Sequence, residues 1–133
     1  MEERELKIAL ENYHFFLYSV ERVQMEIEEL DTKRFKVGGS IAKKPENPRN
    51  REEVIIENLE KLEKLQKSLD RYQHQIDLVS DFVGNLGAVD RNLIKDKYIK
   101  CCTSAELEEK YKMDRKTIWR NVDINIREYA QNH

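Results

Sequence analysis

Apolar residues recur every three or four positions along two long stretches of the chain, which is the spacing of one face of a helix. The first stretch predicts a helix over residues 3–31, and the second predicts a helix over residues 51–84. Two amphipathic helices of similar length that are joined by a loop most simply form an antiparallel hairpin. Because such a hairpin has only a thin core, we expect it to pack against a second copy of the chain or against the C-terminal helices.

Three shorter helices are predicted after the hairpin, and their starts are marked by capping residues. Thr103 and Glu106 have the spacing of a capping box, and Asp114 stands where the N-cap of the last helix belongs. Two helix starts about eleven residues apart leave room for only a two-turn helix between them. That spacing is typical of a helix-turn-helix. The predicted helices of this unit span 90–100, 103–112 and 114–130.

The last predicted helix has one apolar face and one face rich in hydrogen-bond donors. Its stripe of Ile118, Val122 and Ile126 is expected to face Leu107, Tyr111 and Met113 of the preceding segment. Residues 110–120 contain five basic residues and one acidic residue. Long donors at the start of an exposed helix suit the major groove, because base edges and phosphates accept hydrogen bonds there. The candidate DNA-binding residues are Lys112, Arg115, Lys116, Thr117, Trp119, Arg120 and Asn121.

Two of these candidates have specific expectations. Thr117, at the third position of the helix, is placed for a phosphate contact. Trp119 has two interpretations, and the pattern leaves both open. Its indole either lies on the groove side, against a thymine methyl group or a sugar, or packs against the first long helix.

The segment 106–122, ELEEKYKMDRKTIWRNV, resembles the helix-turn-helix of sigma factor region 4 and of phage regulators of the ArpU and RinA families. Two positions depart from the pattern. Glu108 stands where alanine is usual, and Lys112 stands where glycine is often used, so Lys112 needs a left-handed backbone. The residues that fit the pattern are Leu107, Tyr111, Met113, Thr117, Ile118, Arg120 and Val122.

This resemblance covers the C-terminal third of the chain, and it implies a function. It implies a phage- or prophage-derived transcription regulator that binds double-stranded DNA and controls phage late or packaging genes. The N-terminal hairpin is then expected to mediate dimerisation or to contact RNA polymerase. The formal net charge of −2 does not oppose this expectation, because DNA binding needs a local basic face rather than a basic total.

Residues 32–50, between the two long helices, break the apolar periodicity and are strongly basic. Gly38 and Gly39 are expected to end the first helix, and Pro45 and Pro48 keep it from resuming. A loop of this length is commonly functional or disordered. It is either a mobile linker or a basic arm that touches the phosphate backbone or a protein partner. The candidate contacts are Lys33, Arg34, Lys36, Lys43, Lys44 and Arg49.

No pattern of catalytic or metal-binding residues stands out. His14, His74 and His133 are far apart in the sequence, and phosphate-binding glycine loops, zinc spacings and nucleophile elbows are missing. Cys101 and Cys102 are adjacent. We interpret them as buried or half-buried thiols, with an intermolecular disulfide or redox sensing as the alternative. We therefore expect that the protein is not an enzyme and uses no metal or cofactor.

The sequence thus predicts an all-α protein with a long antiparallel helical hairpin over residues 1–86 and a helix-turn-helix domain over residues 87–133. No apolar run is long enough to span a membrane, and the acidic first residues lack an apolar signal core. We expect a cytoplasmic homodimer. Two alternatives remain, namely a phage small terminase subunit, which assembles as a ring for DNA packaging, and a helical adaptor that binds only proteins.

Overall fold

The computed structural model describes the backbone of residues 1–39 and 51–133, and the side chains of residues 1–32 and 52–133. Within these ranges the protein is all-helical, as the sequence predicted. None of the described helices is both long enough and apolar enough to cross a membrane. The elements are α1 (Glu3–Glu11), α2 (Tyr13–Gly39), α3 (Arg51–Gly84), α4 (Ala88–Ile94), a π-helical turn (Lys95–Ile99), α5 (Ser104–Tyr111) and α6 (Arg115–Asn132).

The first predicted helix is interrupted at Asn12, which separates α1 from α2. The Asn12 side-chain amide donates to the carbonyl oxygen of Ile8 at 2.9 Å, and its backbone N–H donates to the same oxygen at 3.0 Å. Such side-chain bonds to the backbone compete with regular helix geometry. α2 then continues to Gly39, so residues 32–39 are helical and are not the start of a loop as predicted; no helix breaker precedes Gly38. Residues 40–50 lie outside the described residues.

The described contacts divide the chain into two compact units. The smaller unit spans 17–73, and the larger unit combines 1–16 with 74–133. The predicted division at residue 86 therefore differs from the one that the contacts give. The reason is that α1 and the end of α3 share a core with the C-terminal helices.

The larger unit has one hydrophobic core to which α1, α3, α4, α5 and α6 all contribute. The rings of Phe82 and Tyr129 meet edge to face in it, with centroids 5.3 Å apart. Ile126 is completely buried there, at the centre of the stripe predicted for the last helix. The core consists of Leu6, Ala9, Leu10, Leu78, Val79, Phe82, Val83, Leu93, Ile94, Leu107, Ile118, Val122, Ile126 and Tyr129.

The smaller unit contains the rest of α2 and most of α3, and few of its described side chains are buried. Ser19, Val20 and Val23 of α2 are buried, whereas the described α3 residues of this unit are all at least partly exposed. Leu30 of α2 and Leu65 of α3 line the same groove. The large apolar side chains that remain exposed are Leu17, Tyr18, Met25, Ile55, Ile56 and Leu59.

The connection from α3 to α4 differs from the expected one. A glycine just after a helix usually ends it in a left-handed conformation, and the sequence predicts that the next helix starts at residue 90; neither holds here. Gly87 is extended (φ −64°, ψ 164°) and is the N-cap of α4, which starts at Ala88. A side chain takes the place of the glycine cap, because the Arg91 guanidinium donates to carbonyl oxygens at the end of α3. These are the oxygens of Val83, Gly84 and Leu86, at 3.3, 3.4 and 3.1 Å.

Candidate nucleic-acid interface

The starts of α5 and α6 have the N-cap residues that the sequence predicted. The Thr103 hydroxyl accepts a hydrogen bond from the backbone N–H of Glu106 at 3.2 Å, which caps α5. Lys112 ends α5 in the left-handed conformation (φ 52°, ψ 39°). Asp114 occupies the N-cap position of α6 with an extended backbone, but its side chain makes no capping hydrogen bond. The turn between the two helices therefore consists of residues 112–114 and begins with a left-handed residue.

The two helices pack together through the predicted apolar residues. Leu107 and Ile118 are buried, and Tyr111 and Met113 pack against the same core. The side-chain amide of Asn121 donates to the Met113 sulfur at 3.7 Å. Asn121 therefore faces the turn and is only partly exposed, which removes it from the front of the candidate DNA-binding surface.

Four basic side chains around the start of α6 are exposed, and we call them the basic face: Lys112, Arg115, Lys116 and Arg120. None of them forms an ion pair with a described side chain. Thr117 is exposed beside them. Trp119 is 45% exposed. Six of the seven candidates from this segment therefore lie at the surface.

The second half of α6 is different, because α1 lies against it. Lys7 Nζ is 3.7 Å from a carboxylate oxygen of Asp123, and Arg127 Nε is 3.5 Å from a carboxylate oxygen of Glu3. Asp123 and Arg127 thus have partners on α1. Only the first two turns of α6 present cations without a described partner.

Sequence reasoning missed a buried carboxylate behind this surface. The Asp96 side chain is only 2% exposed, and it accepts hydrogen bonds from Lys110 Nζ at 2.6 Å and from the Tyr111 hydroxyl at 2.5 Å. These two donors hold the pKa of Asp96 below its ordinary value. Asp96 follows Leu93 by three residues, on the stripe that faces the core, so a polar residue within the apolar stripe was the available signal.

Lys97 makes the second contact that the sequence did not predict. Its Nζ lies 3.5 Å from the ring centroid of Trp119. Neither interpretation of Trp119, on the groove side or against the first long helix, included this contact. Burial lowers the pKa of Lys97. Trp119 therefore covers an ammonium group with one part of its ring surface and remains exposed on another.

The remaining candidates, from the basic segment 32–50, have no described side chains. The backbone of α2 includes Lys33, Arg34 and Lys36. The other three, Lys43, Lys44 and Arg49, lie outside the described residues. Cys101 is an exposed free thiol and Cys102 is a partly buried one. Among the described residues, no group of histidine, cysteine, aspartate and glutamate side chains is arranged to hold a metal ion.

Comparisons of the chain with protein-family models, with curated proteins and with solved structures return no match. The basic face, with the turn that carries it, is therefore the feature that points to a function.

Proposed function

We propose that the protein is a sequence-specific DNA-binding transcription regulator in which α4, α5 and α6 form a helix-turn-helix unit. The observation that carries this proposal is the basic face, whose four cations are exposed and have no described ion-pair partner. Unpaired cations on one surface can replace the counterions that are condensed around DNA, which is the main source of DNA affinity. Cations that were already paired with carboxylates would contribute much less to the affinity for DNA.

The positions of the side chains suggest how α6 would dock. Successive helix residues are separated by about 100°, so Lys116 and Arg120 share the side of α6 that is turned away from the core. Arg120 is proposed to read a guanine through two hydrogen bonds, the commonest base-specific contact in the major groove. Lys112 and Arg115 flank the start of α6, where the helix dipole also favours phosphate. Thr117 would add a further phosphate contact.

The two long helices are proposed to form an antiparallel hairpin that holds two copies of the chain together. Six large apolar side chains among the described residues of the smaller unit are exposed, and a thin core would leave them available to a second copy. A homodimer would place two copies of α6 on two half-sites of one operator. By resemblance to the ArpU and RinA families, the protein would act in the cytoplasm on phage late or packaging genes, with RNA polymerase as a further partner.

The salt dependence of binding tests the proposal. Duplexes that bind are selected from random DNA, and their affinity is measured at several salt concentrations. If Lys112, Arg115 and Lys116 each neutralise one phosphate, the logarithm of the affinity falls with the logarithm of the salt concentration with a slope of about −2.7 per chain. An affinity that does not depend on salt would contradict the proposed face.

Two substitutions separate base contacts from phosphate contacts. Arg120→Ala is expected to weaken the selected sequence by about 1–3 kcal/mol and to reduce discrimination among sequences. Lys112→Ala is expected to weaken all sequences alike and to reduce the salt slope by about one. Arg71→Ala, which changes an exposed arginine of α3, is the control. If all three variants bind like the wild type, α6 does not dock in the groove.

The mass of the protein in solution separates this regulator from the alternatives. A dimer agrees with the regulator, whereas a ring of eight or more copies would indicate a small terminase subunit. A chain that binds no DNA fragment at low salt would instead be a helical adaptor between proteins.

A further inference from the structure

Lys97 has a buried ammonium group without a hydrogen-bond acceptor among the described residues. Its Nζ is shielded from solvent and lies between two rings, 3.5 Å from the centroid of Trp119 and 5.0 Å from that of Tyr98. The charged groups that act on it from neighbouring elements are those of Glu11, Asp123 and Lys7. Burying an ammonium group without an acceptor is unfavourable. An aliphatic side chain would suit this position better if it only filled space.

Trp119 lies at the boundary between the core and the basic face. It follows Lys116 by three residues, which places the two side chains about 60° apart around α6. Its ring is 45% exposed although the inner part covers Lys97. An ammonium group is attracted to the face of an indole, and the attraction strengthens when the cation has lost its water. The contact therefore restricts how the ring can turn while part of the ring stays accessible.

The position of Lys97 in the chain is also unusual. It lies in the π-helical turn Lys95–Ile99, and single π-helical turns occur frequently at functional sites. The backbone N–H of Lys100 donates to the carbonyl oxygen of Lys95 at 2.9 Å, which is the wider hydrogen bond that defines this turn. The irregular turn thus carries the one described buried amino group that points at the proposed DNA-reading helix.

We infer that Lys97 is a positioning residue that holds the Trp119 indole as a rigid apolar contact for the 5-methyl group of a thymine in the bound DNA. This assignment rests on the proposed function. Apolar contact with the thymine methyl group is one of the ways in which proteins recognise a base pair in the major groove. A freely turning indole would lose conformational entropy on binding, whereas an indole already held by Lys97 has less to lose. Lys97 therefore acts through Trp119 and does not itself touch DNA.

The first part of the test needs no DNA. Trp119 is the only tryptophan, so the intrinsic tryptophan fluorescence reports this ring alone. Lys97→Met keeps the volume without the charge and is expected to lower the fluorescence anisotropy and raise quenching by acrylamide. Lys97→Arg keeps the charge and is expected to behave like the wild type. Lys95→Met, at an exposed lysine of the same turn, is the matched control. Unchanged fluorescence in Lys97→Met would overturn the positioning role.

The second part uses the selected duplex, with each thymine in turn replaced by uracil, which removes only the methyl group. The wild type is expected to lose about fourfold in affinity at one thymine position, the factor that corresponds to one buried methylene-sized group. Lys97→Met and Trp119→Ala are expected to lose less than twofold at that position, and Lys97→Arg about fourfold. Because Trp119 is half exposed, Trp119→Ala gives this comparison even if Lys97→Met does not fold.

The possible failures can be told apart. Equal affinity for thymine and uracil at every position would overturn the thymine contact, while DNA binding and the proposed function remain. A wild-type chain that binds no DNA would overturn the proposed function and the thymine contact together. In that case the fluorescence of Lys97→Met and Lys97→Arg still decides whether Lys97 positions the ring.

Discussion

The Asp96→Ala substitution tests the buried contact that joins the π-helical turn to α5. The Asp96 carboxylate accepts from Lys110 Nζ at 2.6 Å and from the Tyr111 hydroxyl at 2.5 Å. Lys100 Nζ lies 3.4 Å from its other oxygen. A hydrogen bond to a charged group contributes about 1.5–3 kcal/mol to stability. The substitution removes both short bonds at once.

The exposure of the donors decides how much of this energy is lost. Breaking a buried ion pair costs about 3–5 kcal/mol when the remaining charge stays buried. Here the Lys110 and Lys100 side chains are 57% and 66% exposed, so their ammonium groups regain water when the carboxylate is removed. Tyr111 is partly buried, and its hydroxyl loses its acceptor. We therefore expect Asp96→Ala to lower the free energy of unfolding of the larger unit by about 2–3 kcal/mol.

Urea unfolding followed by the fluorescence of Trp119 measures this change, because Trp119 belongs to the same unit. Asp81→Ala, at an exposed aspartate of α3 in the same unit, gives a similar gain in helix propensity and is expected to stay within about 0.5 kcal/mol of the wild type. Equal stability of the two variants at pH 7 would refute the assigned role of Asp96.

The same pair of proteins has a defined pH dependence. The pKa of Asp96 is lowered in the folded protein, chiefly by the hydrogen bond from Lys110. Its contribution to stability is therefore fully present above the unfolded-state pKa, about 3.9, and is lost as the pH falls through the lower folded-state pKa. The difference between the wild type and Asp96→Ala should shrink on acidification below pH of about 4. A difference that grows on acidification would mean that the carboxylate is not stabilised in its charged form.

Two further substitutions test the start of α5 and the turn between α5 and α6. Thr103→Ala removes the acceptor of the Glu106 N–H and is expected to lower the free energy of unfolding by about 1 kcal/mol. Thr103→Ser keeps a hydroxyl acceptor and is expected to retain most of the wild-type stability. Urea unfolding that shows no loss in Thr103→Ala would contradict the cap. Lys112→Gly relieves a left-handed backbone (φ 52°) and is expected to raise the free energy of unfolding by about 1 kcal/mol while it weakens binding to all DNA sequences. A less stable Lys112→Gly protein would contradict the strain at this position.

The elements that depend on neighbouring residues were predictable from the sequence. The predicted helix over 51–84 agrees with α3 (Arg51–Gly84), and α5 and α6 start within one residue of the predicted positions. Thr103 caps the start of α5, and Asp114 occupies the N-cap position of α6 without a side-chain capping hydrogen bond. The buried stripe of α6 was also predictable, because Ile118, Val122 and Ile126 follow the helical period.

The features that depend on distant residues were not predictable in this way. The apolar pattern of residues 3–31 continues across Asn12, so it does not show that α1 belongs to the larger unit. Glycine is the residue type that usually forms a left-handed cap, and Gly87 stands where such a cap would be. Instead, the Arg91 side chain from the next helix donates hydrogen bonds to the carbonyl oxygens at the end of α3. Asp96 and Lys97 look like solvent-exposed charges until the elements that cover them are in place. In each case the residue can be recognised in the sequence, but its contact with a residue of another element cannot.

Asp96 and Lys97 together indicate what the π-helical turn contributes to the proposed DNA-binding unit. Adjacent helix residues point about 100° apart, so the two side chains reach different helices: Asp96 binds α5 through Lys110 and Tyr111, and Lys97 lies against Trp119 of α6. Apolar contacts alone let a short helix rotate or slide at little cost, since the hydrophobic effect is non-directional. A buried carboxylate and a buried ammonium group each have one favourable geometry. These two contacts therefore tie the π-helical turn to both α5 and α6, the two helices of the proposed DNA-binding unit.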